Sequence, residues 1–274
     1  MNYRHAFHAG NFADVVKHAT YAWVLARLAE KPKPFAVLDT HAGLGEYDLD
    51  ADQATRTGEW RSGIARVREA LGQAPEALAP YAASLAGLEP RWYPGSPRIA
   101  AEHLRAEDRL ILCEKHPEDA ETLRRTFAGE ANVEIRAGDG YATLKAALPP
   151  KERRGVVLLD PPFEAKDEFE RLARALRQGL KRFPTGVFLA WYPIVERDGP
   201  DALIADIARG DVKRVTLCEI EWKQAPDGKG LRGCGILSIN APWRYEEAAR
   251  EIWTWCAARF APGAKVRVET LVGE

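Results

Sequence analysis

The residues best suited to chemistry are Asp160-Pro161-Pro162-Phe163, which directly follow the apolar run 156–159. An amino group on a flat heteroaromatic ring has its lone pair delocalised into that ring and is a poor nucleophile. A carboxylate and a backbone carbonyl can accept both of its N–H bonds and favour a geometry in which the lone pair is free to react. Two prolines restrict the backbone, so the carbonyl stays aimed. Phe163 offers a flat face for stacking an extruded base, and Asp160 would stabilise positive charge building on the nitrogen. The same four residues could simply end a strand. Position decides between the two readings.

Ligands of open parallel sheets bind beyond the carboxyl ends of the strands, near the switch in strand order. Asp39-Thr40-His41-Ala42-Gly43 ends a first predicted strand, Glu114 a second, Asp139-Gly140 follows a third, and Asp160 ends a fourth. Four acid-bearing strand ends on one edge make a coherent site, and the glycines let backbone approach a ligand closely. Glu114 is placed to accept from a ribose hydroxyl pair and Asp139 from an adenine amino group. Each is commonly a turn or cap residue when met alone; the ordered set carries the reading. Asn240-Ala241-Pro242-Trp243 looks like a degraded copy of the acid-Pro-Pro-aromatic run. It follows a strand expected to run antiparallel, which would deliver it to the opposite edge, so it reads as structural.

The elements that must position these residues follow from periodicity. After a leader over residues 1–10, Asn11 is the expected N-cap of a helix with Phe12, Val15, Val16, Ala19, Trp23 and Ala26 on its core face. Pro32 and Pro34 end it. Residues 46–94 show no strand signal; two amphipathic helices are expected there, one with Trp60, Ile64, Val67 and Leu71, the other with Leu78, Tyr81, Leu85 and Leu88. Ser96 as N-cap and Pro97 at the first helical position then start a helix. Strands are expected over 35–39, 109–114, 133–137, 155–160 and 186–192, with helices between them opened by Pro117, Asp139-Gly140 and Asp167. That alternation argues for a mostly parallel, doubly wound α/β sheet. Residues 212–222 and 235–240 read as a closing antiparallel hairpin, followed by a helix around Trp253 and a last strand over 265–271. The predicted division is residues 1–45 with 95–274 as one Rossmann-like domain and 46–94 as an inserted small helical subdomain.

Composition sets the outer bounds. The chain has 274 residues, is 46% hydrophobic and carries a formal net charge of −1, so no global positive field draws it to nucleic acid and any attraction must be local. The candidate clusters are Arg4 with Lys17, residues 151–154, Lys181 with Arg182, Lys213 with Arg214, and Lys229 with Arg232. Cys113, Cys218, Cys234 and Cys256 lack metal or redox spacing and imply a reduced, cytoplasmic setting. His5, His8, His18 and His41 have no supporting Cys or carboxylate at ligand spacing, so no metal is expected. No stretch is apolar enough for a signal or a membrane span.

The whole chain resembles the RlmJ family of bacterial ribosomal RNA methyltransferases. The likeness rests on Tyr3-Arg4-His5-Ala6-Phe7-His8-Ala9-Gly10-Asn11, Ala13 to His18, Leu38 to Gly43, Arg56 to Glu59, Tyr93 to Pro97, Arg153 to Gly155, Asp160 to Phe163 and Trp191 to Pro193. The acid-Pro-Pro-aromatic run is itself similar to the amino-methyltransferase signature. The resemblance implies a class I Rossmann-like methyltransferase that uses S-adenosylmethionine, leaves S-adenosylhomocysteine, and methylates adenine N6 in 23S ribosomal RNA. It implies His18, His41, Ser96, Glu114, Asp139, Gly140 and Asp160 as cofactor contacts, with Asp160 catalytic. It places Tyr3, Arg4, Lys17 and Phe163 on the RNA side, and a monomer acting on protein-free RNA. Phe163 stands where the family usually has Tyr, and Ala241 interrupts the late double proline. Two alternatives stay open: a DNA adenine or cytosine amino-methyltransferase, and a non-catalytic RNA-binding assembly protein on the same fold.

Overall fold

The computed structural model describes residues 4–226, 228 and 230–273. Along the chain run α1 (Phe12–Ala29), β1 (Ala36–Asp39), β2 (Glu46–Asp48), α2 (Asp52–Thr57), α3 (Ile64–Ala70), α4 (Ala79–Ala86), β3 (Trp92–Pro94) and α5 (Ser96–His103). Then come β4 (Arg109–Glu114), α6 (Pro117–Thr126), β5 (Val133–Ala137), α7 (Gly140–Ala147), β6 (Gly155–Leu159), α8 (Glu168–Arg182), β7 (Val187–Ile194) and α9 (Asp198–Ala208). The chain closes with β8 (Val215–Glu221), β9 (Gly233–Ile239), α10 (Tyr245–Ala257) and β10 (Lys265–Val272).

Eight strands form one sheet in the order β10-β8-β9-β7-β6-β1-β4-β5. β5, β4, β1, β6 and β7 are parallel neighbours, and β9, β8 and β10 add antiparallel pairings. The order reverses between β1 and β6: the chain winds outward through β4 and β5, then returns to β6 on the other side of β1. Such a reversal opens a crevice above the strand ends. The buried strands read as continuous apolar runs, as Val156, Val157, Leu158 and Leu159 do, because helices cover both faces. One core lies under α1, α4, α5 and α10, the other under α7, α8 and α9.

Three local expectations are corrected. Residues 46–94 do contain strands: β2 and β3 pair antiparallel as a short ladder at the base of the segment, Tyr47 opposite Tyr93. Three residues each are too few for an alternating pattern to stand out. The first expected helix is also broken. Short 3-10 turns at Glu59–Arg61 and Leu71–Gln73 flank α3, and α2 precedes them. The break falls at Gly63, where a Cβ would lie 2.2 Å from the Gly10 carbonyl oxygen. Ser96 is not a cap either. Gly95 holds that position, and the Ser96 hydroxyl donates instead to Asp39 Oδ2 at 2.6 Å. Ile64, Val67, Leu78, Tyr81 and Leu85 of the 46–94 segment belong to the same continuous core as α1 and the sheet.

β9 runs against β7, so Asn240 emerges at the amino edge, where its amide donates to the carbonyls of Pro184 (2.8 Å) and Gly186 (2.9 Å) just before β7. The late motif is therefore on the far side of the sheet from Asp160. Among the described residues no helix is long and apolar enough to cross a membrane.

Candidate active site

A cavity of about 730 Å³ runs across the carboxyl edge of the sheet, from the end of β5 to the turn between β8 and β9. His18, His41, Ser96, Glu114, Asp139, Gly140, Asp160, Lys17 and Phe163 all line it. Arg4 lines a smaller neighbouring recess and pairs with Asp119 (2.5 Å) and Glu118 (2.6 Å) at the start of α6. Tyr3 lies outside the described residues.

Asp160 stands where β6 runs out, next to the switch point. Its Oδ2 accepts from Lys17 Nζ at 2.5 Å, and Lys17 also donates to Asp14 Oδ1 at 2.8 Å, one turn earlier on α1. The ammonium is only 4% exposed. Burial alone would lower its pKa, but Asp14 and Asp160 together raise it above the usual lysine range, so it stays charged. Asp14 is held well below the usual carboxylate range: its burial is outweighed by His5 and Lys17. Asp160 Oδ1 makes no hydrogen bond among the described residues, and the carboxylate keeps 15% exposure toward the cavity. Phe163 adopts φ 51°, which turns its ring into a cluster with Phe169 (4.7 Å between centroids) and Trp191 (5.9 Å).

The opposite half of the cavity is built from glycine and acid. A Cβ on Gly140 would lie 2.2 Å from the Thr40 carbonyl oxygen, so this backbone approach admits glycine alone. Glu114 accepts from Gly43 N (2.9 Å) and His116 N (2.6 Å), fixing its carboxylate at the end of β4. Burial raises its pKa. Asp139 caps α7, accepting from Tyr141 N (3.0 Å) and Ala142 N (3.1 Å). Burial pushes this acid up, but those amides with Lys115 and Arg171 hold it below the ordinary value. His18 Nδ1 is 2.8 Å from the Tyr93 hydroxyl, and burial with the nearby Lys17 charge keeps the ring neutral. Burial likewise lowers His41 to about 4.

Sequence reasoning missed several lining residues. Asp14 had a signal, since it sits three positions before Lys17 on one helix face. His5, which is 2.8 Å from Asp14 and packs edge-on against Tyr47, was considered only as a metal ligand. Among the described residues no group of three or more His, Cys, Asp or Glu converges on a metal position. The basic clusters are redistributed. Residues 151–154, Lys181 with Arg182, and Lys213 with Arg214 precede β6, β7 and β8, at the amino edge and away from the cavity. Arg4 and Lys17 are neutralised by carboxylates. Arg232 donates to the Val195 carbonyl and faces Glu221 at 3.4 Å, while Lys229 is outside the described residues.

A sheet wound in this order, with an acid-lined crevice over its reversal, defines the class I methyltransferase fold. The model of the family described as "Ribosomal RNA large subunit methyltransferase D, RlmJ" matches residues 32–272, and the chain belongs to that family. It is 39% identical to the Ribosomal RNA large subunit methyltransferase J of Haemophilus influenzae over 267 residues, covering 96% of this chain and 95% of that protein. The protein of the same name from Escherichia coli is 38% identical, with the same coverage. A crystal structure of a Legionella pneumophila protein superposes with a TM-score of 0.89 at 32% identity, covering 96% of this chain and 98% of that one.

Proposed function

We propose that this chain methylates the N6 amino group of an adenine in 23S ribosomal RNA, using S-adenosylmethionine. The observation that carries the reading is Asp160 at the end of β6, with one oxygen held by Lys17 and the other open to the cavity. When bound, S-adenosylmethionine supplies an electrophilic methyl carbon on a positively charged sulfur. The residues fit such a group. Gly140 lets the start of α7 close onto the Thr40 carbonyl, bringing the loops after β1 and β5 together at the cavity, and Glu114 and Asp139 present fixed acceptors at successive strand ends. His18, His41 and Ser96 would complete its walls.

The chemistry assigned to this chain's own residues is positioning and charge stabilisation. Asp160 Oδ1 accepts one N–H of the target amine and the Pro161 carbonyl the other, so nitrogen lone-pair density is no longer committed to the ring. Lys17 fixes the carboxylate that does this and keeps it from swinging away. Phe163, buttressed by Phe169 and Trp191, stacks the base. As positive charge develops on the nitrogen, the carboxylate is already in place to offset it, which is where preorganisation lowers a barrier. The enzyme acts as a monomer on protein-free RNA in the cytoplasm, in keeping with four buried, unpaired cysteines.

The test is transfer of labelled methyl from S-adenosylmethionine to protein-free 23S ribosomal RNA, to DNA, and to a blank, followed by nucleoside analysis. Label is expected in N6-methyladenosine of RNA alone. Asp160→Ala is expected to lower turnover at least a hundredfold, about 2.7 kcal/mol of lost transition-state stabilisation, while still binding the cofactor. Label confined to DNA, or an active Asp160→Ala enzyme, would sink the proposal.

A further inference from the structure

Among the described residues, four lysines and arginines line the large cavity: Lys17, Arg66, Lys115 and Arg171. Three of them face carboxylates: Lys17 pairs with Asp14 and Asp160, Lys115 with Asp139, and Arg171 with Asp139 and Glu168. Arg66 has no carboxylate partner among the described residues. Its Nη1 donates to the carbonyl of Phe260 at 3.1 Å, with that of Arg259 at 3.5 Å. Two carbonyls orient a guanidinium without neutralising it. Glu69, three positions further along α3, is exposed and makes no ion pair among the described residues, and Glu59 is already engaged by His8 Nδ1 (2.9 Å) and Asn11 Nδ2 (3.0 Å).

The mounting of Arg66 is rigid. It lies one turn beyond Gly63, whose contact with Gly10 and Asn11 leaves no room for a Cβ, and the next amide, Ile64 N, donates to Gly10 O at 2.8 Å. Gly10 and Asn11 lead directly into α1, which carries Lys17. The guanidinium and the Asp160 carboxylate are therefore set on one frame through α1. Around Arg66 the wall changes character. Phe12, Val195, Pro226, Leu231 and Ala261 supply apolar surface, and Val195 is 46% exposed. An unneutralised guanidinium beside apolar wall suits a nucleotide neighbouring the one under attack: phosphate on the charge, base or sugar on the wall.

We propose that Arg66 binds one backbone phosphate of the RNA strand adjacent to the target adenosine, and so sets the register in which that base enters the site. This rests on the RNA reading given above. Arg66 is a positioning residue, remote from the reacting atoms.

The test compares the wild-type chain with Arg66→Gln, which keeps an amide donor for Phe260 O but loses the charge. The substrate is a short 23S fragment carrying one neutral methylphosphonate moved stepwise along the strand flanking the target adenine. The expected result for Arg66→Gln is a KM for RNA raised about tenfold, with kcat at saturating RNA and cofactor affinity unchanged. The slope of log affinity against log salt should shrink by about one. One methylphosphonate position should cost the wild-type enzyme a similar factor and the variant nothing further. An unchanged KM, a loss of cofactor affinity in its place, or losses that add at every position would overturn the assignment. Should Arg66→Gln not fold, the scan on the wild-type chain decides: a flat profile overturns it. Failure of the RNA reading itself looks different, because the wild-type chain would then methylate no RNA at all.

Discussion

Lys17 lies between two carboxylates, Asp14 on its own helix and Asp160 at the end of β6, and is nearly removed from solvent. A charge so placed stabilises only while both partners remain, since breaking a buried pair leaves the survivors uncompensated. Lys17→Gln is expected to destabilise the protein by about 3 kcal/mol, read as a lower Tm, and to reduce kcat with little change in cofactor affinity. A variant with normal kcat would mean that the carboxylate needs no such anchor. At this scale the sequence was informative about residue types but not about their pairing. The order Asp39, Glu114, Asp139, Asp160 along four strand ends could be read directly, because three of the acids close apolar runs and Asp139 follows the alternating strand 133–137. That Lys17 reaches across 143 positions to Asp160 could not, since nothing local links a helix near the amino terminus to the fourth strand of the parallel set. Ser96 shows the converse: a good local cap residue whose hydroxyl was drawn to a buried carboxylate instead.

Among the elements, α3 brings Arg66 to the cavity wall, and its seat is the close backbone crossing at Gly63. Gly63→Ala would press a methyl group into the Gly10 carbonyl and the Asn11 backbone. The chain would have to shift, and the expected loss is about 2–3 kcal/mol. Because the displaced segment carries Ser62 and Arg66 rather than Glu114, Asp139 or Gly140, KM for RNA should rise more than the dissociation constant of the cofactor. Equal changes in both, measured by steady-state kinetics and calorimetry, would argue that the segment serves the cofactor half. The inner parallel strands were legible because burial on both faces makes them largely apolar runs between Gly, Pro and Asp punctuation, and the edge strand β5 because it alternates. The segment over residues 46–94 was legible only in part. Its apolar spacing revealed α3 and α4, but β2 and β3 are too short to show a period, and the break before α3 depends on a contact with residue 10 that no local pattern records.

For the whole molecule, buried Asp39 and half-buried His41 at the end of β1 tie stability to pH with opposite signs. Asp39 is fully buried, and desolvation lifts its carboxyl from 3.8 to about 6 against the Ser96 and His41 hydrogen bonds. Its folded pKa is raised, so the penalty is absent below the unfolded value, grows as pH climbs past 3.8 and is complete above about 6. Two units correspond to about 3 kcal/mol. His41 works the other way. Its folded pKa of about 4 lies below 6.5, so stability is lost as pH falls through 6.5 toward 4, where the unfolded imidazole takes up a proton first. The two slopes oppose each other over most of that window. Asp39→Asn, in which the Ser96 hydroxyl can turn to accept from the new amide, is expected to raise Tm at pH 7.5, to be neutral near pH 4, and to steepen the decline between pH 6.5 and 4. A uniform shift in thermal melts across that range would remove Asp39 as the cause. The mostly parallel sheet and its closing antiparallel hairpin were legible from the alternation of elements, but the strand order and the side of the sheet on which each basic cluster falls were not. That distribution has a practical use. Lys151, Lys181, Arg182, Lys213 and Arg214 are exposed on the edge facing away from the cavity, whereas three of the four described cations in the cavity wall face carboxylates, so a sulfonated chip or bead should capture the protein mouth outward and leave it free to turn over.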